Sequence, residues 1–164
     1  MAQIKLAEYT FDNSVGDCLP TLTPNTITMT KEDSVNGTIT KRIIYIDDTT
    51  LPTRISFQNK TSLLTLDYLN FTNTITNASN MFNGCGGLTS LNTSNWNTSN
   101  VTKMNSMFGG CSKLTSLDLS NFDTSKVNNM INMFHSCKSL TSLDLSNFNT
   151  SNITMTFSMF ANCS

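Results

Sequence analysis

Apolar residues recur along the second half of the chain at a fixed interval. Cys85, Cys111, Cys137 and Cys163 are evenly spaced, and the same interval separates Phe82, Phe108, Phe134 and Phe160, and again Leu88, Leu114 and Leu140. Three columns in phase define an internal repeat, and a period between about 20 and 50 residues marks units that bury an apolar face only by stacking on their neighbours. In LTSLDLSNF, Leu114, Leu117, Leu119 and Phe122 are the apolar positions, and the Leu-Asp-Leu step alternates as a half-buried strand does. Thr115, Ser116, Asp118 and Ser120 then face outward. Further on, apolar residues fall at Val127, Met130, Met133, Phe134 and Cys137, the spacing of one helical stripe. Thr124 and Ser125 stand where N-caps would, and Gly109-Gly110 where the preceding helix would end.

The pattern therefore predicts an α/β solenoid, a right-handed stack of about four strand-turn-helix coils with a parallel sheet on one side and short helices on the other. The units run over residues 63–87, 88–113, 114–139 and 140–164. The first is degenerate: residues 72–74 are one residue short of the pattern, Asn70 replaces the Ser-Asn step, and Ala78 replaces a Met. About nine apolar side chains per unit, each worth roughly 1.5 to 3 kcal/mol when fully buried, would hold the stack together.

The pattern L-x-x-L-x-L-S-x-F-x-T-S-x-V-x-x-M-x-x-M-F-x-x-C, matched throughout by Leu114 to Cys137, resembles the BspA-type leucine-rich repeat of bacterial surface proteins. Leu140 to Cys163 follows it with Ile153 for Val and an altered Thr156-Phe157; Leu88 to Cys111 follows it with Thr93 for the third Leu and Trp96 for Phe. The resemblance implies a leucine-rich-repeat fold and a scaffold for binding and adhesion whose ligands differ among members. Fold does not fix function.

Residues 1–53 show no trace of the repeat and hold all three prolines, Pro20, Pro24 and Pro52. Ile4 to Phe11 reads as a strand, Val15 to Pro24 as a loop, Thr26 to Lys31 as a strand and Thr38 to Ile46 as another. Asn36-Gly37 is a turn signal, with the connection from Glu32 to Gly37 longer than a two-residue hairpin. This predicts a small β-rich N-terminal cap or anchor module ahead of a repeat array spanning residues 54–164. Leu51 to Leu66 would add an irregular strand to the array's sheet. A second expected role for the module is docking or oligomerisation.

Charge narrows the partners. With 13% charged residues and a net charge of -1, the chain carries no basic patch of the kind that grips nucleic acid. No run approaches the roughly 20 apolar residues of a membrane helix, and the N-terminus has no apolar signal-peptide core. Together with the resemblance to surface-adhesion repeats and a short N-terminal module placed where an anchor would be, this implies a protein displayed at an extracellular or virion surface without a cleavable signal, such as a tail-associated protein of a bacterial virus, beside an adhesin exported by other means.

Candidate chemistry is sparse. One Cys per copy, with no C-x-x-C or Cys/His pairing, reads as a column of buried thiols rather than a metal or disulfide set, and the Met column reads as core. Cys18 has no assignable partner. His135 fills a variable slot and reads as a surface side chain. The glycine pairs follow the predicted helices and so cannot cradle phosphate. Asn92, Asp118 and Asp144 line up on the exposed face, first as a solvated polar ladder and second as a cation site.

No cofactor and no enzymatic activity are expected. The expected function is surface recognition of a cell-surface polysaccharide or protein through Thr89, Ser90, Asn92 and Ser94, Thr115, Ser116, Asp118 and Ser120, and Thr141, Ser142, Asp144 and Ser146. The alternative is a structural spacer or spike with no ligand on that face. The chain stops where the next Leu-Thr-Ser-Leu is due, so an uncapped last coil would invite a partner or a second copy.

Overall fold

The computed structural model describes residues 3–23, 29–47 and 51–163. Seven strands form in chain order: β1 (Gln3–Asp12), β2 (Thr21–Thr23), β3 (Met29–Asn36), β4 (Ile39–Asp47), β5 (Arg54–Ser56), β6 (Leu63–Leu69) and β7 (Ser90–Leu91). Five make one mixed sheet in the order β3-β4-β1-β6-β7, antiparallel except for β6 beside β7, and β2 pairs with β5 in a second sheet. The strands read at Ile4 to Phe11 and Thr38 to Ile46 correspond to β1 and β4. Residues 26–28 of the third reading lie outside the described residues, and its remainder opens β3. The loop read from Glu32 to Gly37 is instead strand up to Asn36, which pairs with Ile39 across a tight turn where Gly37 takes φ 64°.

The expected α/β solenoid of strand-turn-helix coils is not formed. Among the described residues there is no helix, and the described secondary structure is all β. The leucine-rich-repeat architecture fails on both sides of the unit. Leu-Asp-Leu at 117–119 and 143–145 forms no strand, and the parallel pairing of short strands is confined to β6 and β7. The stretch read as a helix, residues 127–137, holds instead a succession of four-residue turns from Met130 onward: Met133 N–H donates to the Met130 carbonyl, His135 to Asn132, and Cys137 to Phe134. Asn132 and Ser136 sit at φ 56° and 58°, as do Ser106 at 54° and Gly110 at 73° in the copy before. Gly and Asn tolerate this left-handed region best, and Gly, Asn and Ser are all poorer helix formers than Ala or Leu.

The amides between those turns are spent on the neighbouring copy. Met104, Ser106, Phe108 and Gly110 donate to the carbonyls of Asn129, Ile131, Met133 and His135 at 2.7–3.0 Å, and Met130, Asn132, Phe134 and Ser136 repeat this toward Met155, Phe157, Met159 and Ala161. Parallel bridges run through Asn77, Lys103, Asn129 and Met155. Thr124, expected as an N-cap, is buried instead. Its hydroxyl donates to the Asn149 carbonyl at 3.1 Å and accepts from the Asn149 N–H at 2.8 Å.

The spacing that suggested a helix does describe burial. Val127, Met130, Met133, Phe134 and Cys137 are at most 1% exposed. Phe57, Phe82, Phe108, Phe134 and Phe160 stack with ring centroids 5.5–5.9 Å apart and planes within 9° of parallel. The thiols of Cys85, Cys111, Cys137 and Cys163 each donate to the carbonyl of a Phe in the preceding layer, Phe57, Phe82, Phe108 and Phe134, at 2.8–3.3 Å. All five cysteines are unbridged.

Residues 54–59 cover the first copy. Arg54 Nη2 donates to the Ser79 carbonyl at 2.9 Å, and the Phe57 and Asn59 amides donate to Met81 and Asn83 at 2.6 and 2.7 Å. Tyr9 of β1 meets Phe57 edge-on at 5.3 Å, so one core runs from the antiparallel strands into the repeats. The approach is close: a Cβ on Gly87 would lie 2.2 Å from the Thr61 carbonyl oxygen. Within the strands, Arg42 is buried, bidentate to Asp33 at 2.6 Å through Nε and Nη2, paired through Nη1 with Asp17, and set 4.7 Å over the Phe11 ring.

Candidate functional site

The twelve residues singled out from the sequence are all exposed and lie on equivalent positions of three consecutive copies. A short turn holds each set. Asn92, Asp118 and Asp144 accept, through Oδ1, the amides of Ser94, Ser120 and Ser146 at 3.0, 2.9 and 2.8 Å. Asn and Asp favour such turns because the side-chain oxygen reaches the amide two residues on. The Ser120 amide and hydroxyl hold the Asp118 carboxyl below its ordinary 3.8, and those of Ser146 do the same for Asp144. Both therefore present negative charge at neutral pH.

The set at residues 89–94 is tied most firmly to the preceding copy. Thr89 Oγ1 donates to the Leu64 carbonyl at 3.1 Å and Asn92 Nδ2 to the Asp67 carbonyl at 3.1 Å. In contrast, the hydroxyls of Thr115, Ser116, Thr141 and Ser142 make no hydrogen bond to a described residue and are open to solvent. Between the copies at 114–139 and 140–164 a depression of about 140 Å³ opens, lined by Leu117, Asp118, Leu119, Ser120, Asp144, Ser146 and Asn147. Apolar side chains beside hydroxyls and carboxylates suit a polyhydroxylated ligand.

Two sets of residues that order this face were not singled out from the sequence. The first is a carboxamide column: Asn95 Nδ2 donates to the Leu69 carbonyl at 2.9 Å, Asn121 to Thr93 and Trp96 at 2.9 and 3.1 Å, and Asn147 to Leu119 and Phe122 at 3.0 Å each. Its signal was the unvarying Asn before the aromatic residue of every copy. The second is a further row of turns, in which Asn97, Asp123 and Asn149 accept from the amides of Ser99, Ser125 and Ser151 at 2.9–3.2 Å. Asp123 is also held below 3.8, by the Ser125 hydroxyl and amide.

Other candidate groups lie apart from this face. His135 is half-buried, with Nε2 3.2 Å from Asn162 Nδ2. Burial pushes the thiols of Cys85 and Cys137 up to about 12, so neither is a nucleophile at neutral pH. Among the described residues no three His, Cys, Asp or Glu side chains gather as metal ligands would. No helix of the described residues is long and apolar enough to cross a membrane.

No match was found among curated proteins or among solved structures. A family model does match residues 55–164, two thirds of the chain and the whole of the repeat region. The chain thus belongs to the family described as "Mycoplasma protein of unknown function, DUF285".

Proposed function

We propose that the chain is a non-enzymatic recognition module whose exposed repeat face binds a repetitive surface polysaccharide, displayed on a cell or on a virion. The observation that carries this reading is the threefold recurrence, once per copy, of the same exposed hydroxyls beside a turn-held Asn or Asp. A ligand with its own repeat can meet such an array several times over, and linked weak contacts raise avidity without any new contact type. The resemblance of the sequence pattern to the BspA-type surface repeats supports the same reading.

The test is binding of the purified chain to a glycan panel, to intact bacterial cells and to animal matrix proteins, with Ser116→Arg/Ser142→Arg as the comparison. Both serines are exposed and their hydroxyls have no hydrogen-bond partner among the described residues, so the variant keeps the fold. Saturable binding weakened at least about tenfold by the double substitution is expected. Envelope binding would favour the viral setting and matrix binding the adhesin. Binding to none of the three would leave a structural spacer, a reading favoured by the way Asp118 and Asp144 are already engaged in their own turns.

A further inference from the structure

The exposed face of the repeats does not stop at Ser90. Thr65 of β6 is the parallel partner of Ser90 in β7, Thr10 of β1 pairs with Thr65, Lys41 of β4 with Thr10, and Ser34 of β3 with Lys41. Residues paired across neighbouring strands share a face of the sheet, so these five form one outward row that crosses every strand of the order β3-β4-β1-β6-β7. Thr10 and Thr65 are half-buried with their hydroxyl oxygens 2.9 Å apart, a contact that spends one proton and leaves the other without an acceptor among the described residues. In the opposite direction Ser116 and Ser142 are the counterparts of Ser90 in the next two copies, and both are exposed. Hydroxyls thus recur at Thr10, Thr65, Ser90, Ser116 and Ser142, once in each successive layer. Lys41, ion-paired with Glu8 at 2.5 Å, ends the run beyond Thr10.

We infer that the ligand is an extended β-1,4-linked pyranose polymer lying along the stacking axis, and that Thr65 and Thr10 carry its site onto the N-terminal sheet. The inference rests on the reading of the repeat face as a polysaccharide site and names the polymer that site takes. Paired strands and bridged copies are stepped by about 4.8 Å, close to the advance of one ring in an extended sugar chain. Lying across the strands, such a chain presents one ring to each hydroxyl of the row. A coiled α-1,4-linked glucan curves away from a row of this kind. The Asp118 and Asp144 carboxylates stand beside the row between Ser116 and Ser142 and repel an acidic polymer, so the chain that fits is uncharged.

The probes are β-1,4-linked N-acetylglucosamine oligomers of three, five and seven rings, titrated calorimetrically into the whole chain and into Thr10→Val/Thr65→Val. Replacing both hydroxyl partners by a residue of the same shape leaves no unpaired donor and keeps the β-branched preference of a strand, so the variant folds. The parent should bind five rings about tenfold more tightly than three, and seven no better than five. In the variant the five-ring oligomer should bind no more tightly than the three-ring one. Equal affinity of the parent for three and five rings would overturn the inference whatever the variant does, and so would an undiminished gain in the variant. Either result leaves the repeat-face reading standing, provided that Ser116→Arg/Ser142→Arg still weakens binding. Failure of every β-1,4-linked oligomer to bind, or tighter binding of α-1,4-linked glucose oligomers, would also overturn it. The repeat-face reading falls too only if the glycan panel, the cells and the matrix proteins all give no binding.

Discussion

The Sγ of Cys137 lies 3.1 Å from the carbonyl oxygen of Phe108, one copy away, and donates its proton there. The contact explains why a thiol rather than a methyl group occupies this column. A buried small apolar residue would fill the space, but only a donor meets the carbonyl. Sulfur is a weak donor, so the gain per bond is small and the column's value lies in its repetition.

Thiol burial predicts a falling stability in alkali. Burial pushes Cys18 up to about 11, Cys85 and Cys137 up to about 12, and Cys111 well above its ordinary 9.0. A pKa raised in the folded state means that the neutral thiol is favoured there, so this stabilisation is complete below pH 9 and lost as pH rises toward 12. The melting temperature should fall steadily from pH 9 to 11, and less steeply in Cys137→Ala. A flat profile over that interval would contradict the assignment.

Phe134 and His135 are adjacent in sequence and opposite in consequence. Phe134 is 0% exposed between Phe108 at 5.7 Å and Phe160 at 5.5 Å, whereas His135 is half-buried beside Asn162. Phe134→Ala should destabilise by about 3 to 5 kcal/mol and His135→Ala by well under about 1 kcal/mol. Urea denaturation midpoints measure both, and similar midpoints would refute the inward and outward placement.

The left-handed turns make a third comparison. At Asn132, φ is 56°, a conformation that costs a β-branched residue on the order of 1 to 2 kcal/mol and glycine nothing. Asn132→Val should therefore lower the denaturation midpoint by that amount, while Asn132→Gly stays near the parent. Were the segment helical, the order would reverse, since glycine is the poorer helix former.

Trp96 occupies a slot held by Phe122 and Phe148 in the following copies, and its buried indole N–H has no partner among the described residues. It stacks on Phe71 at 4.9 Å and on Phe82 at 5.9 Å. Trp96→Phe removes the orphan donor, which offsets the area lost, so its cost should be below about 1 kcal/mol, against about 3 to 5 for Trp96→Ala. A cost for the Phe variant as large as for the Ala variant would show that the indole is held by more than packing.

The repeat period, the columns buried in the copies before the last and the outward placement of the Thr, Ser and Asp positions were legible because burial leaves its mark on residue type at a fixed interval; in the last copy Phe160 is 50% and Met155 38% exposed. The helix was misread for a physical reason. Val127, Met130, Met133 and Phe134 are spaced as a helical stripe, yet successive four-residue turns place apolar side chains inward at the same spacing. Hydrogen bonds whose acceptors lie in the next copy leave no local pattern. The warning was chemical: Asn and Ser recur at positions 106, 132 and 158, where a helix would favour Ala, Leu or Glu. The carboxamide column at Asn95, Asn121 and Asn147 was equally visible as an invariant residue. It passed unremarked because a polar side chain beside an aromatic reads as surface when it is in fact anchoring the neighbouring copy.

The one-way hydrogen bonding between copies has an electrostatic result. Four amides in each copy point toward the C-terminal neighbour and only one, from Thr102, Asn128 or Thr154, points back across the same stretch. Peptide dipoles of about 3.5 D therefore add along the stacking axis, as they do along a helix, although the chain itself runs across that axis. The negative pole falls on the first carbonyl row, where the Arg54 guanidinium sits against Ser79. The positive pole falls on the amides of Thr156 to Asn162, so lengthening the array by further copies would move that pole outward while leaving the arginine-neutralised end unchanged.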